Sequence, residues 1–183
     1  RCGADPEGVA KAVDMLLSAQ RPVILVGQGV RYGGAAKDLL KLAERLRIPV
    51  ACSASGLGAI DSNHPLALGL VARNGTYQAN HATRQADVLL ALGVRFDDRT
   101  SSSWIPGYSF TIPPTRLIHV DIDPDEIGRN YPVALGLMAD VRTFLRQILG
   151  ELDRRMAKGA VPAERAPWLD AIAGYRKEWE AYI

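Results

Sequence analysis

The decapeptide ALGVRFDDRT (91–100) crowds Arg95, Asp97, Asp98 and Arg99 into the turn where an apolar run has just surfaced at Gly93. Guanidinium forks match phosphate oxygens, so Arg95 and Arg99 are candidates to clamp a diphosphate. A plainer reading pairs them with Asp97 and Asp98 in a solvated turn. Gly27 and Gly29, in GQGVRYGG (27–34), would let a backbone approach phosphate closely, with nearby amides as donors. Tyr32 stands where the third glycine of G-x-G-x-x-G would fall, which makes a tight strand-to-helix turn the simpler reading. Asp121, in RLIHVDID (116–123), is placed to accept hydrogen bonds from ribose hydroxyls. Its other reading is a cap for the following PDEIG turn, which Asp123 could supply alone. Groups for turnover are missing from the pattern. No G-x-S-x-G or P-loop occurs, and no cluster has zinc-ligand spacing. His64, His81 and His119 stand apart in a loop, a helix and a strand, and read as structural. The chain offers a place to hold a cofactor, and no catalytic or metal residue is assigned.

Those residues need a scaffold, and the composition allows one. The 183 residues are 48% apolar and 23% charged, ordinary usage for one globular domain with a real core. A net charge of +2, with basic and acidic residues interleaved, argues against a nucleic-acid partner. Apolar runs fall far short of the roughly 20 residues a membrane helix needs, so no membrane partner is expected either. Cys2 and Cys52 lack metal or redox spacing, and Cys52 lies in an apolar strand, which suits a buried thiol in a reducing cytoplasm. The sequence opens on Arg1 with no apolar leader after it, and reads as a piece of a longer protein.

Helical periodicity marks 4–20, 33–47, 75–86, 140–152 and 168–183, with Asp5 and Asp140 as N-caps. Between them, 21–30, 48–53, 87–93, 116–123 and 133–140 read as strands apolar on both faces. Prolines and Gly107 break any periodicity over 95–114, and 153–167 reads as a linker. The alternation predicts an α/β fold: a Rossmann-like, doubly wound parallel sheet of about six strands with helices on both faces. In such sheets ligands lie beyond the carboxyl ends of the strands, where these polar and glycine-rich residues gather.

Six pieces, RPVILVGQGV, SGLGAIDSNHPLALGL, NGTYQAN, ADVLLALGVRFDDR, IHVDIDPDEIGRN and ADV, follow in order and spacing. Over about residues 5–150 the chain thereby resembles the central domain of acetolactate synthase (acetohydroxyacid synthase), a thiamine-diphosphate enzyme. The most specific piece is GVRFDDR followed by HVDIDPDEIG. The resemblance implies a subunit of three α/β domains, the outer two binding thiamine diphosphate and Mg²⁺ and the middle one holding extended FAD in a structural role. It implies decarboxylation of pyruvate and transfer of the two-carbon unit to a 2-keto acid, in branched-chain amino acid biosynthesis. Residues 1–152 would be the FAD-binding domain, with 153–183 a linker and helix leading to a further catalytic domain. The implied partners are those outer domains, further copies of the chain in a homo-oligomer, and a regulatory subunit.

Carried over by motif, the implied flavin-contacting positions are Gly27, Gly29, Ser53, Ala54, Asn74 and Gly75. Gly93, Val94, Arg95, Asp97 and Arg99 follow, with Asp97 and Asp98 orienting the arginines and shaping the loop. Asp121 and Ile122 fall toward the adenosine half, and Asp140 with Val141 completes the wall. The chain departs from the family in reading Arg73-Asn74-Gly75 for Met-His-Gly, and TSSSWIPGYSF after the RFDDR motif. Trp104 and Tyr108 in that insert either pack the loop down or stack on a ring. Two other readings remain open from the sequence: a nucleotide-binding or sensing module without catalysis, and the central domain of a related carboligase that binds no FAD.

Overall fold

A computed structural model describes residues 2–182. Arg1, on which the reading of the chain's start leaned, and Ile183, the last residue of the expected final helix, lie outside the described residues.

Helix α1 (Pro6–Ser18) starts where Asp5 accepts the amide of Gly8 and Pro6 occupies the first turn. It leads into β1 (Pro22–Val26), the short α2 (Gln28–Tyr32), α3 (Ala36–Leu46) and β2 (Val50–Cys52). A 3₁₀ turn at Ala54–Gly56 precedes β3 (Ala67–Leu70), then α4 (Tyr77–Gln85) and β4 (Val88–Leu92). After a long irregular stretch come β5 (Arg116–Asp121), β6 (Leu135–Met138), α5 (Val141–Ala157) and α6 (Ala166–Tyr182).

The six strands are all parallel, in the order β3-β2-β1-β4-β5-β6. This is the Rossmann order, with its switch between β1 and β4. Because side chains alternate across a strand, each strand feeds both faces. Ile24, Val26, Val50, Leu90 and Leu92 meet Val13 and Leu16 of α1, Leu39 and Leu42 of α3 and Phe144 and Ile148 of α5. Val23, Leu25, Leu89, Ala91 and Leu117 meet Ala79 and Ala82 of α4 and Trp168 and Ile172 of α6. The doubly wound α/β reading therefore holds.

Two elements go beyond the sequence reading. Strand β3 was not expected. It is four residues long, carries Gly69 at φ +89° and slips register against β2 between Val50 and Ala51, so it shows no period-2 signal. Helix α2 spans only five residues inside what read as a glycine turn. Helix α5 also runs on to Ala157, past the boundary at 152. Within the stretch read as a linker, Arg165 is buried at 3% exposure and donates to the carbonyls of Leu16, Ala19 and Leu46.

Candidate nucleotide site at the strand ends

Register fixes where the rim lies. Val26 pairs with both Cys52 and Leu92, Leu92 with Val120, and Asp121 with Met138. The residues that follow each strand therefore emerge side by side along one edge of the sheet.

At the switch point the backbones touch. A Cβ on Gly27 would lie 2.0 Å from the Gly93 carbonyl oxygen, and one on Gly29 would lie 2.8 Å from Gly93 Cα. Gly93 itself sits at φ +60°, a conformation L side chains avoid. The space that glycine opens at Gly27 is filled by protein backbone. Glycine here serves the tight strand-to-helix turn.

On one side of this glycine contact lies a cleft of about 450 Å³. It brings together seven of the expected residues: Gly29, Gly93, Arg95, Asp121, Ile122, Asp140 and Val141. Gln28, Tyr32, Gly33 and Asp123 complete the lining, and the sequence reading had assigned none of these to the ligand. Tyr32 is 84% exposed at the mouth. It entered the sequence reading only as a departure from a glycine motif, although an aromatic ring in that place was itself a signal. Asp121 is 8% exposed, and its Oδ1 accepts the amide of Asp123 at 3.0 Å. Asp140 caps α5, its Oδ1 accepting from the amide and the hydroxyl of Thr143, both at 3.0 Å.

A second cleft, about 420 Å³, is lined by Ala54, Asn74 and Arg99 of the expected set, with Arg73, Asp98 and Thr100 among its other walls. Gly27, Ser53, Gly75, Val94 and Asp97 line neither cleft. The two arginines thus face different clefts, Arg95 the first and Arg99 the second, and do not form a single clamp. Gly75 has a packing role, since a Cβ there would meet the Leu70 carbonyl oxygen at 2.5 Å.

The contact of Asp97 matches the loop-shaping reading, with no ion pair to either arginine among the described residues. Asp97 Oδ1 accepts the amide of Thr100 at 2.8 Å and so closes a turn of the 97–101 loop. The acid near Arg95 is Glu126, whose Oε1 stands 4.0 Å from Arg95 Nε and 3.1 Å from an Arg129 nitrogen. The Glu126 side chain is 10% exposed while those of the two arginines are 60% and 63% exposed, so a nearly buried carboxylate sets two cations at the surface. Sequence separation hid it, since Glu126 reads as one acid of a PDEIG turn.

His119 ties the loop in place. Its Nε2 lies 2.8 Å from the Val94 carbonyl, and its Nδ1 lies 3.5 Å from the amide of Gly128. An amide can only donate, so this pairing puts the imidazole proton on Nε2. Burial, first among the causes, holds His119 below the usual imidazole range, against the pull of Val94, Asp121 and Glu126. The indole of Trp104 donates to the Phe96 carbonyl at 3.0 Å, the packed-down alternative for that insert. Cys52 is buried, and desolvation pushes its thiol up to about 11.

The family described as "Thiamine pyrophosphate enzyme, central domain" matches residues 9–148. The chain belongs to that family of doubly wound cofactor-enzyme domains. Among its curated relatives is a probable acetolactate synthase large subunit of Methanococcus aeolicus, 42% identical over 81% of this chain and 24% of that protein. Another, from Methanocaldococcus jannaschii, is 38% identical over 94% of this chain and 28% of that protein. The acetolactate synthase isozyme 3 large subunit of Escherichia coli is 36% identical over 87% of this chain and 27% of that protein. The chain spans about a quarter of the length of these relatives. No helix among the described residues is long and apolar enough to cross a membrane.

Proposed function

We propose that this chain is the FAD-holding central domain of an acetolactate-synthase-type carboligase. That enzyme would decarboxylate pyruvate and pass the two-carbon unit to a 2-keto acid. The observation that carries the reading is the pair of clefts flanking the Gly27–Gly93 contact, each with its own arginine. A flavin dinucleotide is long, with a nucleoside at one end, a ring system at the other and a diphosphate between. Two clefts of about 450 and 420 Å³ on one rim suit such a ligand better than one compact nucleotide. The donor set fits as well. Asp121 would take the hydroxyl-rich nucleoside end, Arg95 and Arg99 the charged middle, and Ala54 with Asn74 the far end. Asp97 and His119 act one step back, holding the 93–101 loop that carries both arginines.

In this reading thiamine diphosphate, held with Mg²⁺ by other domains of the longer polypeptide, supplies the carbanion-stabilising ring. The residues of this chain bind and orient, and move no proton of the substrate. The reading extends to a cytoplasmic homo-oligomer with a regulatory subunit; the relatives are named as large subunits, which supports only the presence of a second kind of subunit.

The test uses the full-length protein. It is expected to purify yellow, and with thiamine diphosphate and Mg²⁺ to form a 2-acetohydroxy acid from pyruvate. Arg95→Ala and Arg99→Ala should each weaken FAD binding by about tenfold, the scale of one charge-assisted hydrogen bond. A colourless protein inert toward pyruvate would overturn the proposal. Unchanged flavin affinity in both variants would remove the assignment of the loop.

A further inference from the structure

A smaller cavity, about 240 Å³, lies between α4, α6 and the segment around Tyr108, and shares no residue with either strand-end cleft. Its walls are rings. Those of Tyr77 and Trp179 stand 6.2 Å apart between centroids and 9° from parallel, and His81 lies 3.8 Å from Tyr77. Tyr77 is pinned, its hydroxyl donating to Glu178 Oε2 at 3.0 Å. Tyr108 and Trp179, also in the lining, are 42% and 40% exposed. Helix α6 is already seated on the core through Trp168 and Ile172, so rings left this open to water are more than its packing needs.

The polar groups of the cavity divide into spent and unspent. Asn80 is spent: its Oδ1 accepts the amide of Ala72 and the hydroxyl of Ser109, and its Nδ2 donates to the Ala72 carbonyl. Arg84 has no ion pair among the described residues, and its hydrogen bond to the Gly107 carbonyl is long, at 3.4 Å. His81 Nδ1 lies 3.0 Å from the Tyr77 carbonyl, which can only accept, so Nδ1 carries the proton. That leaves His81 Nε2 an acceptor with no hydrogen bond among the described residues. Glu178 does not line the cavity, so its charge there is positive. Ring walls with a few unspent polar groups are the make-up of a small-molecule site. Flat walls suit a flat ring, an unpaired guanidinium suits a carboxylate, and an open imidazole nitrogen suits an O–H or N–H. We propose that this cavity binds a small aromatic carboxylate with a hydroxyl or N–H donor on its ring. The site is separate from both strand-end clefts and stands whether or not they hold FAD.

The probe is 6-hydroxy-2-naphthoate, titrated calorimetrically into the full-length protein with and without added FAD. It is expected to fill one site with a dissociation constant below about 1 mM, the scale for a ligand of this size. The corresponding amide keeps the rings and the hydroxyl but loses the charge, and should bind at least about tenfold more weakly. Arg84→Gln should erase that preference by weakening the acid alone, whereas Trp179→Ala should weaken acid and amide alike by about tenfold. Both variants are compared at matching melting curves. Should Arg84→Gln fail to fold, the comparison of acid with amide on the unmodified protein decides alone. Absence of saturable binding, equal affinity for acid and amide, or an Arg84→Gln variant that binds the acid unchanged would each overturn the proposal. So would displacement of the probe by FAD, which would place it in the strand-end clefts instead.

Discussion

His119 sits where its protonation is a matter of stability. It joins Val94, in the arginine loop, to Gly128, in the turn that carries Glu126, and it packs edge-on against Phe96. Its pKa is lowered in the fold, chiefly by burial. The unfolded chain therefore takes up a proton more readily than the folded one. Stability is full above the ordinary imidazole value near 6.5 and falls as pH drops below it, until the lowered folded value is reached. The loss amounts to at most about 1.4 kcal/mol per pH unit from this group. Thermal melts at pH 7.5 and 5.5 should show a larger drop in the unmodified chain than in His119→Gln, which can still donate and accept but does not titrate. Equal drops would remove His119 as the cause. The sequence reads this histidine as structural, because a lone imidazole inside an apolar strand has few other uses. It could not show the role of Glu126, which depends on two turns meeting across β4 and β5. Nor could it show that Arg95 and Arg99, four positions apart, diverge into separate clefts. That divergence is set by Phe96 at φ +42° and by the Asp97 turn, neither of which leaves a compositional mark.

Among the elements, those with long and regular apolar periods were legible, and those defined by their neighbours were not. Helices α1, α3 and α5 announce themselves by stripe and cap, while β3 exists because β2 offers it a ladder. The stretch taken for a linker shows the same limit, since DRRMAKGAVPAERAP is polar and rich in turn formers. Its Arg165 nevertheless reaches the carboxyl ends of both α1 and α3, donating to Leu16, Ala19 and Leu46. Cations suit that place, where the last carbonyls of a helix lack partners and carry partial negative charge. Burial lowers the guanidinium to about 10, so it stays charged at neutral pH. Arg165→Ala should cost about 3 kcal/mol in urea unfolding, through orphaned carbonyls and lost packing. Arg165→Lys should restore less than half of that, because one ammonium cannot reproduce a fork aimed at two helix ends. A loss below about 0.5 kcal/mol for the alanine variant, the usual size of a surface change, would return this residue to the class of solvated linker side chains.

At the scale of the whole molecule, packing and ligand enclosure separate. The surface of 8927 Å² is close to the roughly 8,600 Å² expected of a compact freestanding chain of 19.8 kDa. Both faces of the sheet are covered, and α6 is fastened by Trp168 to the Pro22 carbonyl and by Arg176 to those of Pro65 and Ala67. Among the described residues the core is covered on both faces of the sheet, so the 183-residue chain should unfold on its own in one cooperative transition. The rim is different. Tyr32 and Ile122 at the first cleft are 84% and 60% exposed, so a ligand there keeps much of its own surface in water. Tight small-molecule sites bury about 70–90% of what they bind. If other domains of the longer polypeptide close over this rim, they add affinity without altering the fold beneath. The isolated chain is therefore expected to bind FAD at least about tenfold more weakly than the full-length protein, at an unfolding midpoint of its own that added FAD shifts little. Flavin fluorescence titration of both proteins measures the ratio. Equal affinities would mean that the two clefts enclose the dinucleotide by themselves, and that the exposed tyrosine and isoleucine fold over it on binding.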